Sequence, residues 1–521
     1  MATYNATQKQ RRRLKLNGAV MLWVLIVTMM IITMGLSMMS LTLHGLRTTR
    51  RIQDSTLAFN LAESSAEKAV RWLKDQGSPP AGTTTIDPFG GVQTLDPGTY
   101  SAQVIPDPGN PGAILKAYTI TGTGTVDHLV EHVTLYVRQQ SFGKYAYFTD
   151  QEVSAVSGGA IWFQSSDRIR GPAHSNNKSG SNFQVDWTTA SSANPIFQDA
   201  VTSVASSINY SPSSPNTEAN FTKIYKAGSR GYKLGVNQIP LPSSSSAQQI
   251  AAWGSSAGFP STSGVYVPSN GGIYIVGDSS MVAKTDASGN QQFVITQGTK
   301  VTTVTYMLGS NQVKYQLVNN GSPGPTNTVV GLGTQVIYTT GNITALSGTI
   351  GNNRVDNTTH TILNRNAYTI ATDMNNGKNI TLNGTLKYAT APTAGLSYSD
   401  PANINTGTLG LIGRNVTIAA GSPTTMQIDA VILAGSSSTT DGSFSVADYN
   451  SKQPTGTLTV TGGIIQKARG PVGTISNGAL NTGYAKNYLY DSRLADAPPP
   501  YFPTTGLYDR LSWQRLAPTA G

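Results

Sequence analysis

Few residues in this chain could do chemistry, and each has a plainer use. His128, Leu129, Val130, Glu131 and His132 spell H-x-x-E-H, an inverted zinc-protease motif in which one helical stretch brings both histidines to a metal. The neighbours alternate instead, with Val126, His128, Val130 and His132 on one side and Leu129, Glu131, Val133 and Leu135 on the other. A period of two predicts a strand, with Glu131 facing away from both histidines. His174 stands between Pro172 and the pair Asn176-Asn177, the composition of a structural turn. Asp429, Asp441 and Asp448, with Arg414 upstream, are the types a polysaccharide lyase or hydrolase would use, but nothing in their spacing fixes them on one face. There is no H-E-x-x-H and no cysteine. The expectation is a non-enzyme with no catalytic residue, no cofactor and no metal site.

The elements that would position any site start with residues 19–43, AVMLWVLIVTMMIITMGLSMMSLTL, which carry no charge. As a helix they rise about 37 Å, enough to cross a bilayer core of about 30 Å. No proline follows until Pro79, so the helix is expected to continue to residue 76 as an amphipathic segment. Phe59, Ala62, Ala66, Ala69 and Leu73 recur there at three- and four-residue spacing and predict a face that packs on a sheet.

Charge supports the membrane reading. The chain has 521 residues, 36 Lys and Arg against 26 Asp and Glu, and a net charge of +10. Eight of the cations and no acid lie at or before Arg51, so the rest is close to neutral. The excess therefore flanks a membrane segment and predicts a cytoplasmic N-terminus and an exported C-terminal part. It gives no support to a nucleic-acid surface. A cleaved secretory signal has a shorter apolar core, about 7–15 residues.

The basic leader 1–18 ends in Asn17-Gly18, the uncharged helix begins at Ala19, and LAFNLAESSAEKAV continues it over residues 57–70. This resembles the N-terminal region of PilX-like minor pilins and the K-type pseudopilins of type II secretion. The resemblance implies cleavage by a prepilin peptidase between Gly18 and Ala19. It also implies packing of Val20, Leu22, Trp23, Leu25, Ile26, Met29, Ile32 and Leu36 in the membrane or among other pilin-like subunits. Trp23 takes the fifth mature position, where most pilins have glutamate. K-type subunits lack that glutamate too and are placed at filament tips.

Three strand-like runs follow, at 98–105, 114–121 and 126–138, the first two separated by a turn at 106–109. With the helix they predict a small antiparallel sheet within residues 77–140, as in a pilin headgroup. From 145 to 515 the chain shows short runs rich in Val, Ile, Thr and Tyr, broken by Gly, Asn and Asp. The fold class expected is mainly β: a long N-terminal transmembrane helix with a pilin-like sheet, then a large right-handed parallel β-helix with coils near 20–25 residues. A β-sandwich is the alternative. Residues 179–263 look like a polar excursion with one helix at 246–253, and the Pro- and aromatic-rich 490–513 like a cap over the solenoid's open end.

The segments IWFQSSDRIRGPAHSNN, GGIYIVGD, GGIIQKARGPVGT, YDSRL and PPPYFP resemble an uncharacterised domain attached to PilX-type N-termini in large bacterial surface proteins, and this resemblance carries no known activity. The function expected is a minor-pilin-like, non-catalytic part of a type IV filament or pseudopilus, acting in assembly or display at the tip. Its partners would be the membrane, other pilin-like subunits, the prepilin peptidase and a surface glycan. The alternative is a single-pass, membrane-anchored β-helix that binds or cleaves polysaccharide.

Overall fold

The computed structural model describes residues 2–76, 79–107, 115–165, 167–178, 183–189, 194–436, 441–454, 456–476, 479–516 and 519–520, with backbone alone for 2–18, 479 and 519–520. Pro108 and Gly109 of the expected turn, Ile114 and Ser179 lie outside the described residues. The chain forms two compact units. One comprises residues 1–111, 116–138 and 508–521, and the other spans essentially 139–507. The second unit is thus inserted into the first.

The first unit is built on one helix, Ala2–Asp75, unbroken over 74 residues. Its sheet runs in the order Gln93–Leu95, Gly98–Pro106, Ala117–Val126, Leu129–Ser141 and Thr504–Arg515, with Thr519–Ala520 also paired to Leu129–Ser141. Two of the expected strand boundaries move. The second strand runs on to Val126, and the third starts at Leu129 after a hairpin at Asp127-His128, where Asp127 takes a positive φ of 54°. A short Asx-type residue tolerates that backbone, which is why the turn falls inside what reads as one strand. The sequence reading also missed that the fifth strand comes from the end of the chain.

Helix and sheet meet through small residues. Ala62, Ala66 and Ala69 are buried against Ala102, Val104, Ile120, Val133, Leu135 and Val137, and Ala58 with Leu61 against Val126. Gly122 and Gly124 bring the strand still closer: a Cβ on Gly122 would lie 2.2 Å from the Ala62 carbonyl oxygen, and one on Gly124 2.0 Å from that of Ala58. Only glycine lets two backbones approach so closely.

In the second unit the strands stack in parallel, as expected for a β-helix and unlike a sandwich. One hydrogen-bonded row reads Ile273, Ile337, Ile370, Leu411, Ile432, Ile464, then Tyr147, Ala173, Val201 and Tyr232. The chain enters in the middle of the stack. It climbs from Tyr147 to one end at Tyr232, crosses to the far end at Ile273 and winds back until Ile464 pairs beside Tyr147. Coil lengths are 33 residues from Ile337 to Ile370, 41 from Ile370 to Leu411, 21 from Leu411 to Ile432 and 32 from Ile432 to Ile464, so the expected 20–25 holds for one of these four. At one corner Asp278, Asn342, Asn379 and Asn415 form a ladder: each side-chain oxygen accepts from the backbone N–H of the next rung, and Asn415 accepts from Gly442. The ladder satisfies backbone donors that leave the sheet at the bend.

Two expectations need correction. Part of 179–263 belongs to the solenoid, since Val201–Ser203 stacks in parallel between Ala173–Ser175 and Tyr232–Leu234; its strands are only two or three residues long, too short to show a period. The helix Ser246–Trp253 forms as expected. The segment 491–503 is not an end cap. It lies along the solenoid's side, where Arg365 donates to the carbonyls of Ala497 and Pro498, and Phe502 packs over Gly410. Carbonyls without neighbouring N–H donors suit such a strap, because proline can accept but not donate. The end coil at Ile273 is covered instead by an antiparallel meander, Gln291–Gln297, Lys300–Met307, Gln312–Asn319 and Ser322–Val330, whose Phe293 and Tyr306 pack on Tyr368.

The strap and the helix Ser246–Trp253 bury the outer row of the same sheet, which contains Tyr274, Tyr338, Ala371, Ile412, Leu433, Ile465 and Phe148. Both faces of that sheet are therefore apolar, and its strands read as continuous hydrophobic runs such as AVILA at 430–434.

Candidate functional site

Two regions stand apart from structural packing: the first half of the long helix and one pocket in the solenoid.

The helix from Ala19 onward is long and apolar enough to cross a membrane, and its most apolar window is not buried at all within the chain. Val20, Leu22, Trp23, Leu25, Ile26, Met29, Ile32 and Leu36 are all exposed, from 40% at Ile26 to 67% at Trp23. Thr28, Thr33 and Thr42 return their hydroxyls to carbonyls three or four residues back, which satisfies those three groups within the helix itself. Gly18 and Ala19 lie within the continuous helix. Its second half behaves differently. Ala62, Ala66, Ala69 and Leu73 are buried under the sheet, together with Ala58, Leu61, Ser65 and Val70. Phe59 is half-buried, edge-on to Trp513 at 6.2 Å and beneath the Arg515 guanidinium at 4.7 Å.

The H-x-x-E-H residues occupy a hairpin, not a metal site. Glu131 is 1% exposed and faces the helix, accepting from Arg515 Nη2 at 2.8 Å and from the Ser55 hydroxyl at 2.7 Å. Burial alone would raise its carboxyl pKa, but these hydrogen bonds and the Arg515 charge hold it below the ordinary value. No group of three metal-ligating side chains exists among the described residues. His174 lies in a strand rather than a turn. It is buried against Phe148 at 4.8 Å, with Nδ1 2.8 Å from the Thr202 hydroxyl and Nε2 3.0 Å from Asn176 Oδ1. Desolvation lowers its pKa. Asn176 in turn bonds both backbone groups of Ile239, so the cluster fastens the crossing segment to the coils. The acidic residues near 429–448 do not converge. Asp429 accepts from the Tyr388 amide, Asp441 pairs with Arg414, and Asp448 accepts from Gly421 N–H.

The sequence reading did not find the pocket. It measures about 280 Å³ and is walled by Trp162, Tyr449 and Tyr488 with Arg168, Arg469 and Lys486. Those residues come from the first and last coils, joined where the chain's two runs meet. Arg469 is buried over the Phe163 ring at 4.2 Å and pairs with the fully buried Glu152 at 3.4 Å. Desolvation raises the Glu152 pKa, and Arg469 and Thr149 only partly oppose it. Lys486 lies 3.1 Å from Asp167. The Tyr147 hydroxyl is buried with no hydrogen-bond partner among the described residues, and its pKa is pushed well up by desolvation.

No family model matches the chain, and no curated protein does. Among solved structures, the competence-associated pilin ComZ from Thermus thermophilus aligns with a TM-score of 0.28 and 12% identity, over 89% of this chain and 98% of that one. A likeness of that size leaves fold and function to be read from this chain's own residues.

Proposed function

We propose that the protein is a minor-pilin-like, non-catalytic subunit of a type IV filament or a type II secretion pseudopilus, anchored by its first helix and acting in assembly or at the tip. The observation that carries this reading is the division of one unbroken helix into an exposed apolar half and a half buried under a small antiparallel sheet. A helix of that kind can be held in lipid first and then exchange lipid for the helices of neighbouring subunits without repacking its own headgroup. The large inserted unit supports the tip, because its roughly 370 residues, essentially 139–507, are hard to place among closely packed shaft subunits. Trp23 instead of a carboxylate also suits a subunit with no neighbour above whose amine must be matched.

The test is the N-terminal residue of the mature protein, by mass spectrometry of membrane and sheared surface fractions with and without prepilin peptidase. A peptidase-dependent start at Ala19 is expected. An intact Met1 in both strains would overturn the pilin reading and leave a membrane-anchored surface β-helix.

A further inference from the structure

We propose that the pocket between the first and last coils binds one carboxylate-bearing sugar residue of an acidic polysaccharide. The inference is independent of filament assembly.

Size and wall chemistry come first. At about 280 Å³ the pocket is at the small end of ligand sites, the scale of one ring. The rings of Trp162, Tyr449 and Tyr488 supply flat apolar faces with polar edges, suited to the C–H face of a pyranose whose hydroxyls point outward. A compact inorganic anion would leave those rings unused.

Charge selects an acidic sugar over a neutral one. Lys486 is matched by Asp167, and Arg469 by Glu152. Arg168 has no carboxylate partner among the described residues. Its Nη1 donates to the carbonyls of Ser165, Asp167 and Asn194, which fixes the guanidinium but leaves its charge uncompensated. One positioned, unmatched cation beside an aromatic wall calls for one carboxylate.

The test is isothermal titration calorimetry on the full-length chain in detergent micelles. The probes are trigalacturonate, N-acetylneuraminic acid and neutral galactotriose. At least one acidic probe is expected to bind, with galactotriose weaker by about tenfold or more, the worth of a charge-assisted contact. Arg168→Gln should bring the acidic probe down to the neutral one's affinity. Because Arg168 also braces three carbonyls, a second variant is needed. Ser157→Trp, on the exposed loop at the pocket mouth, should abolish binding without lowering the melting temperature. Binding of neither acidic probe, equal affinity for galactotriose, or unchanged affinity in Ser157→Trp would each overturn the proposal.

Discussion

The two units fill their interiors differently, although both press strand glycines against backbone: a Cβ on Gly463 of the solenoid would lie 2.2 Å from the Tyr145 carbonyl oxygen. The helix-and-sheet unit is closed by what its residues lack: alanines on the helix and Gly122 and Gly124 on the strand let the backbones nearly touch. The solenoid is closed by bulk, with rows of Ile, Leu and Val repeated from coil to coil. An interior defined by closest approach cannot accept an added atom. A stacked interior can lose one, since each coil is held by neighbours on both sides. Ion pairs follow the same division. Arg493 is fully buried, donates to both Asp491 oxygens and to the Thr406 and Gly407 carbonyls, and pins the strap. Arg515, 44% exposed, reaches Glu131 from the unit's rim.

Four measurements would break or sharpen that contrast. The largest effect is expected from Gly124→Val, since its added atoms meet helix backbone that cannot rotate away. We expect a loss of about 3 kcal/mol or more, seen in calorimetry as collapse of the small unit's transition with the solenoid's unchanged. A matching loss in both transitions would mean that the interiors are not separate. Arg493→Met should follow, at about 3 kcal/mol, because it strands the buried Asp491 carboxylate; faster proteolysis within 491–503 would report it.

Arg515→Gln should cost less, about 1–2 kcal/mol, because solvent screens a half-exposed guanidinium. It also carries a pH signature. Glu131 has a folded-state pKa below the ordinary one, so its contribution is fully present above the ordinary carboxylate range and is lost as pH falls through the folded value. The small unit's melting temperature should therefore drop on acidification from about pH 7 to about pH 3, and that part of the drop should vanish in Arg515→Gln. Smallest is Asp75→Asn, which removes the exposed 4.0 Å pair with Arg71; a change under about 0.5 kcal/mol is expected. A larger shift in chemical denaturation would show that the helix end matters more than its exposure allows.

Much of this was legible locally. The uncharged run from Ala19, the Ala62, Ala66, Ala69 and Leu73 face, the helix Ser246–Trp253 and the β-rich character of the later chain follow from composition and period read over a few residues. The alternation around Glu131 put it on the strand face opposite His132, as the structure has it, while the turn at Asp127-His128 and the helix that Glu131 meets were seen only in the structure. The pocket was not legible, because its residues come from two groups, 162–168 and 449–486, that lie about 280 residues apart along the chain and have no spacing in common. Nor was the meander's role as end cover, which depends on where Tyr368 falls in the stack.

The sequence by itself determined the membrane-length helix, the β-rich remainder and the close alanine face, because each is set by the order of neighbouring side chains. Only the tertiary structure decided the order of the coils, the entry of the chain at mid-stack and the return of Tyr508 to Arg515 to complete the first sheet. Parallel strands present similar backbone edges and similar apolar rows to any partner. Which coil lies beside which is then chosen by the whole set of contacts, including the Asp278-to-Asn415 ladder and the strap pinned by Arg493, and by no local pattern.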